Sequence, residues 1–210
     1  MSCLQEILLS LKLCEIVKED CIEDKMEDKE GGAGRGKYYD VLREILMMVI
    51  GDLGIIEGSV KVKEDRENKV DFAIRKNKKE KYKIILEFKR PSKLIGAIYY
   101  DSSKSKVILK KSRAGALEDY ERWKRNEKQY PAKQDDWVGQ LRGYFLSMNE
   151  ENKLEKDSFS ILTNGLLWVI FRFNPEREVT APVDESEIVS SFILPEDYEK
   201  LKDKMKEFLM

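Results

Sequence analysis

The chain has 210 residues, 41% hydrophobic and 38% charged, which is about one domain and ample to bury a core. It contains no histidine, which excludes Ser-His-Asp and Cys-His nucleophile systems, HNH chemistry and His-ligated zinc, so carboxylates and lysine must carry any reaction. The net charge is −1, yet residues 69–133 hold 20 Lys/Arg against 8 Asp/Glu, a bias that suits a polyanion or, more plainly, a lysine-rich solvated face.

From the N-terminus, Leu4, Ile7, Leu8, Leu11, Cys14, Val17 and Cys21 fall on one helical stripe ending near Glu27, which predicts a helical arm over 1–30 ahead of a domain at 31–210. Cys3, Cys14 and Cys21, spaced eleven and seven apart, fit no zinc pattern and are expected as buried thiols on that stripe. The arm lacks the basic start of a signal peptide and carries Glu6 in its apolar part, and no apolar run reaches transmembrane length. A cytoplasmic protein with no membrane partner is therefore expected.

Gly31 to Lys37 has the spacing of a phosphate-cradling loop, but an acidic helix precedes it and Tyr38 stands where Ser or Thr is needed, so it reads as a linker. Tyr38, Val41, Leu42, Ile45, Leu46, Val49 and Ile50 then make the buried side of a helix over Tyr38–Leu53, stopped by Gly51 and Gly54. Gly58–Lys63 reads as an edge strand.

Lys69–Lys76 and Lys81–Lys89 are dense in Val, Ile, Tyr and Phe, and the polar run Asn77–Glu80 between them suits a turn. Alternation puts Glu87 and Lys89 on one face and Ile84, Leu86 and Phe88 on the other. With the turn centred near Lys79, Asp71 lies directly opposite Glu87. Facing carboxylates repel by a few tenths to about 1 kcal/mol even on an exposed sheet, and a hard divalent cation is the natural compensation.

Asp71, followed after fifteen residues by Glu87-Phe88-Lys89, resembles the PD-(D/E)XK nuclease superfamily, although Val70 stands where a proline is often found. The resemblance implies an α/β fold with a mixed central sheet flanked by helices, and a Mg²⁺-dependent deoxyribonuclease in which Mn²⁺ can substitute. It further implies that Asp71, Glu87 and the Phe88 carbonyl ligate the metal while Lys89 assists the attacking water. The helix before the first strand often lends a further acid in such proteins, for which Glu44 is the first candidate and Asp40 the second. The bland readings are a charged hairpin face and exposed helix carboxylates.

After the Arg90-Pro91-Ser92 step comes a basic insertion over 94–133, with a helix expected at Ala114–Lys128 and Tyr99, Tyr100, Tyr120, Trp123 and Tyr130 interleaved with cations. That mixture suits nucleic-acid backbones and exposed bases; Arg90, Lys93, Lys110, Lys111, Arg113 and, further on, Arg142 are the expected DNA contacts. In Asp135–Met148 a helix places Trp137, Gln140, Leu141, Tyr144 and Met148 on one face. Gln140 and Tyr144 are similar to the Gln-x-x-x-Tyr motif of RecB-like and type I restriction nucleases, which implies that they line the site; a buried amide bonded to a hydroxyl is the structural alternative.

Phe159–Thr163 and Leu166–Phe173 read as apolar strands joined at Asn164-Gly165, a two-residue hairpin signal, and Leu-Thr-Asn-Gly followed by an aromatic strand is also similar to type I restriction nuclease domains. Ile188–Leu194 is expected as a last strand, and Pro195 opens a C-terminal packing helix. The function expected is a restriction-type DNA endonuclease, acting as a homodimer or with separate restriction-modification subunits. A repair nuclease, a junction resolvase and a catalytically inactive nuclease-like module binding nucleic acid or protein stay open.

Overall fold

The computed structural model describes residues 8, 10–14, 35–64, 68–89, 98–101, 106–109, 137–176 and 185–210. Strands β1 (Ile55–Lys61), β2 (Lys69–Arg75), β3 (Tyr82–Phe88), β6 (Leu154–Thr163), β7 (Leu167–Phe171) and β8 (Ile188–Ile193) form one sheet in the order β1-β2-β3-β6-β7-β8. All its pairings are antiparallel except β3 with β6, which is parallel. Parallel neighbours need a crossover, and helix α2 (Trp137–Glu150) lies within this one.

Helices cover both faces. α1 (Arg35–Ile50) and α3 (Tyr198–Leu209) bury Leu42, Ile45, Val49, Leu201 and Phe208 against Phe72, Ile74, Ile84, Leu86 and Trp168. On the other side α2 packs Val138, Leu141 and Phe145 against Ala73, Ile85, Leu162 and Val169. The central strands are apolar on both faces because both are covered, and each fully buried Ile or Leu contributes about 1.5–3 kcal/mol. This is a mixed α/β architecture with helices on both faces of a mixed central sheet. No helix among the described residues is long and apolar enough to cross a membrane.

The expected helix at Tyr38–Leu53 is present with Val41, Leu42, Ile45, Leu46, Val49 and Ile50 inward; it starts at Arg35 and ends at Ile50, where Gly51 turns the chain at φ 56° into a 3₁₀ turn over Gly51–Leu53. Other boundaries differ. β1 starts at Ile55, and β6 starts at Leu154 because its polar first half, Glu155 to Asp157, leads into the buried run from Ser158. The β6–β7 turn is centred one residue later than expected: Asn164 N–H donates to Leu167 O at 3.3 Å, leaving Gly165 and Leu166 between them, with Gly165 at φ 87°. Glycine is the residue that takes such a φ without strain.

Two expectations are corrected or enlarged. Among the described arm residues, Leu13 is buried in the core shared by α1, α3 and the sheet while Leu8, Leu11 and Cys14 are exposed, so the stripe read as buried points outward at these positions and the Cys14 thiol is open to solvent. Within the insertion, β4 (Ile98–Asp101) and β5 (Lys106–Leu109) pair as a separate two-stranded hairpin that the sequence reading did not include. The helix expected at Ala114–Lys128 lies outside the described residues.

Candidate active site

β2 pairs with β3 in the register Phe72↔Leu86, Ala73↔Ile85 and Ile74↔Ile84, and one further step sets Asp71 opposite Glu87. Both lie at the end of the sheet where β3 and β6 finish side by side. The carboxyl ends of parallel strands are where open α/β sheets commonly place ligands.

The local geometry is tight. Phe88 N–H donates to Asp71 Oδ2 at 2.7 Å, so the Asp71 side chain serves as acceptor for the β3 backbone where the β2 ladder runs out. Lys89 Nζ donates to Glu87 Oε1 at 2.6 Å, as two residues on one face of a strand can. Lys89 N–H donates to Thr163 O at 2.9 Å, which holds the lysine backbone against β6.

Glu87 is only 4% exposed, and its Oε2 is sealed from solvent with no hydrogen-bond partner among the described residues. Burial pushes its carboxyl up to about 7; the Lys89 charge pulls the other way, and the nearby Asp71 charge adds to the rise. A buried carboxylate oxygen without a donor is expensive. A cation is one way to satisfy it, and hard oxygen donors of this type suit Mg²⁺, which keeps several waters and takes one or two carboxylates. Among the described residues no group of three or more Asp, Glu, Cys or His converges, so such an ion would rely on Asp71, Glu87, backbone carbonyls and water.

α2 lies over this same sheet face. Gln140 Nε2 donates to Tyr144 OH at 2.9 Å, so the amide–hydroxyl pair forms, and Gln140 Oε1 is sealed without a partner among the described residues. Tyr144 is 8% exposed and packs in the core that contains Ile85 and Leu162.

Other candidates are placed elsewhere. Glu44 sits on α1, which covers the opposite face, and its exposed carboxylate is paired with Lys12 at 2.8 Å; Asp40 is exposed on the same helix. The structure thus brings neither to Asp71 and Glu87. Arg142 is buried, so it offers no exposed grip for a phosphate. Arg90, Lys93, Lys110, Lys111 and Arg113 lie outside the described residues.

A second ionic cluster, unforeseen from the sequence, lies toward the other end of β2 and β3 and draws its acid from β1. Glu57 accepts from Arg75 and, at 2.6 Å, from Tyr82 OH, while the Arg75 guanidinium sits 5.2 Å from the Tyr82 ring centroid. Burial alone would raise Glu57, but these two donors hold its carboxyl below the usual range, and burial pushes the Tyr82 hydroxyl up to about 12. Both Glu57 oxygens are thereby bonded, and the three groups read as a clamp on the strands.

Comparison with protein-family models gives no match, and comparison with curated proteins gives none. Among solved structures the chain is similar to the type IIG restriction endonuclease BpuSI, with 16% identity and a TM-score of 0.46 over 82% of this chain. It spans 16% of that enzyme's chain. A likeness at this level says nothing about the chemistry of the site.

Proposed function

We propose that the chain is a Mg²⁺-dependent DNA nuclease domain of restriction type, with Asp71 and Glu87 as metal carboxylates and Lys89 as the group that orients the attacking water. The observation that carries this reading is the meeting of Asp71, Glu87 and Lys89 on one face, with Glu87 buried and one of its oxygens unsatisfied. Asp71, Glu87 and the Phe88 carbonyl would hold the ion, which when bound supplies Lewis acidity at the scissile phosphate. Lys89 brings a positive charge to the rim, anchored at 2.6 Å on Glu87, where it steadies a water or a phosphate oxygen. Gln140 and Tyr144 extend the wall from α2. DNA is the proposed substrate, gripped by the basic insertion, and restriction is proposed over repair or junction resolution. A homodimer or separate restriction-modification subunits are the proposed partners.

The test is nicking of supercoiled plasmid with Mg²⁺ or Mn²⁺. Asp71→Ala and Lys89→Ala should each lose activity by about 100-fold or more while retaining duplex binding. Wild-type activity in both variants would refute the assignment. A second reading, a non-catalytic nucleic-acid- or protein-binding module, draws on the Lys89–Glu87 pair, which already neutralises one of the two acids that the described residues bring to the site; it predicts no calorimetric heat with Mn²⁺ and no nicking.

A further inference from the structure

The parallel register of β3 and β6 runs Leu86↔Ile161, Glu87↔Leu162 and Phe88↔Thr163, so the next step sets Asn164 beside Lys89. The ladder does continue that far, because Lys89 N–H donates to Thr163 O at 2.9 Å. Asn164 also still pairs with Leu167 across the β6–β7 ladder. Alternation then returns its side chain to the face of Leu162, which is the face of Glu87 and Lys89. Adjacent strands stand about 4.8 Å apart, so the amide is a near neighbour of the lysine.

Its orientation is fixed by the turn. Asn164 Oδ1 accepts from Leu166 N–H at 3.0 Å and from Leu167 N–H at 2.7 Å. Two backbone donors on one oxygen decide which end of the amide is which, and they leave Nδ2 directed away from the turn. Nδ2 has no hydrogen-bond partner among the described residues, although the residue is 92% buried by its 8% exposure, and it is not among the sealed polar atoms of the interior. An uncharged pair of N–H donors therefore stands at the register position beside Lys89, on the strand next to the one that carries Glu87. Carboxylates repel a phosphodiester, so the strand near them must be held by donors, and a neutral amide provides them without competing for the cation.

We propose that Asn164 Nδ2 donates a hydrogen bond to a non-bridging phosphate oxygen of the strand held beside Lys89. This rests on the nuclease reading of the site and adds a substrate-binding residue to it. Capping the hairpin is the role of Oδ1; binding substrate is the role of Nδ2, and the two separate by mutation.

Asn164→Asp keeps an oxygen for both turn hydrogen bonds and removes the donors. Asn164→Ser keeps a capping hydroxyl, is neutral, and is too short to reach a phosphate. Both should melt near wild type. Each should raise the Kd for a duplex oligonucleotide in EDTA, read by anisotropy, and the KM for plasmid nicking in Mg²⁺, by about 10-fold or more, the loss typical of a hydrogen bond to a charged group. kcat should change less, and Mn²⁺ affinity by calorimetry should be unchanged in Asn164→Ser. An Asn164→Ser variant with wild-type Kd and KM overturns the proposal, even if Asn164→Asp is impaired, because that loss is then repulsion by the added charge. Wild-type protein that neither binds duplex nor nicks plasmid overturns instead the nuclease reading beneath it.

Discussion

Replacing Glu87 by glutamine in metal-free buffer should stabilise the protein at alkaline pH and leave it almost unchanged at acid pH. The carboxyl is raised from 4.5 to about 7, by burial first, with the Asp71 charge adding to the rise and the Lys89 charge opposing it. Between those values the folded protein retains a proton that the unfolded chain has released. The favourable contribution is thus fully present below about pH 4.5 and is lost as pH rises through about 7. At 1.36 kcal/mol per unit, a rise of about 2.5 units amounts to roughly 3 kcal/mol. Glutamine keeps the shape and brings no charge to desolvate, so the variant should exceed wild type by about 3 kcal/mol at about pH 8.5 and match it near pH 4.5. Urea unfolding of both proteins in EDTA across that range measures the difference, in which other titrations cancel; with m of about 1–3 kcal/mol/M the midpoints should part by about 1 M or more. Added Mg²⁺ should then stabilise wild type, by about 2.7 kcal/mol at 100 times its Kd, and leave the glutamine variant unmoved. Parallel pH profiles, or a variant less stable than wild type at high pH, would refute the reasoning, since the Lys89 pair would then outweigh burial.

Three further outcomes follow from the geometry. Glu44→Ala removes an exposed pair with Lys12 and should shift stability by less than about 1 kcal/mol with Mn²⁺ affinity unchanged by calorimetry; a tenfold loss of affinity would return Glu44 to the site. Tyr198→Phe deletes the 2.6 Å bond from the Tyr198 hydroxyl to Met48 O that ties α3 to α1, and urea unfolding should show a loss of about 1–3 kcal/mol. Cys14 should react with a thiol reagent in the native protein without denaturant; complete protection of every thiol would contradict its exposure.

The hairpin register was legible because it is local. A polar four-residue turn between two β-branched runs sets which residues oppose, and Phe72↔Leu86 follows the same spacing that pairs Asp71 with Glu87. The buried face of α1 was legible for the same reason, since Val41, Leu42, Ile45, Leu46 and Val49 recur with the helical period. Periodicity failed where an element's neighbours decide its exposure. Leu8, Leu11 and Cys14 share a stripe, yet Leu13 is the residue that α1 and the sheet bury. Arg142 reads as a surface cation in a basic context, yet the fold leaves it 4% exposed on α2.

By itself, then, the amino-acid order determined the chemistry available, carboxylates and lysine without histidine, and the faces on which Asp71, Glu87 and Lys89 stand, because side-chain alternation is a property of neighbouring residues. Only the tertiary structure decided that β3 runs parallel to β6, that Asn164 consequently arrives at the register position beside Lys89, and that α1, which carries Glu44, covers the opposite face. Those relations join segments far apart in the chain, and their register is set by which apolar surfaces bury one another, a quantity that no local pattern contains.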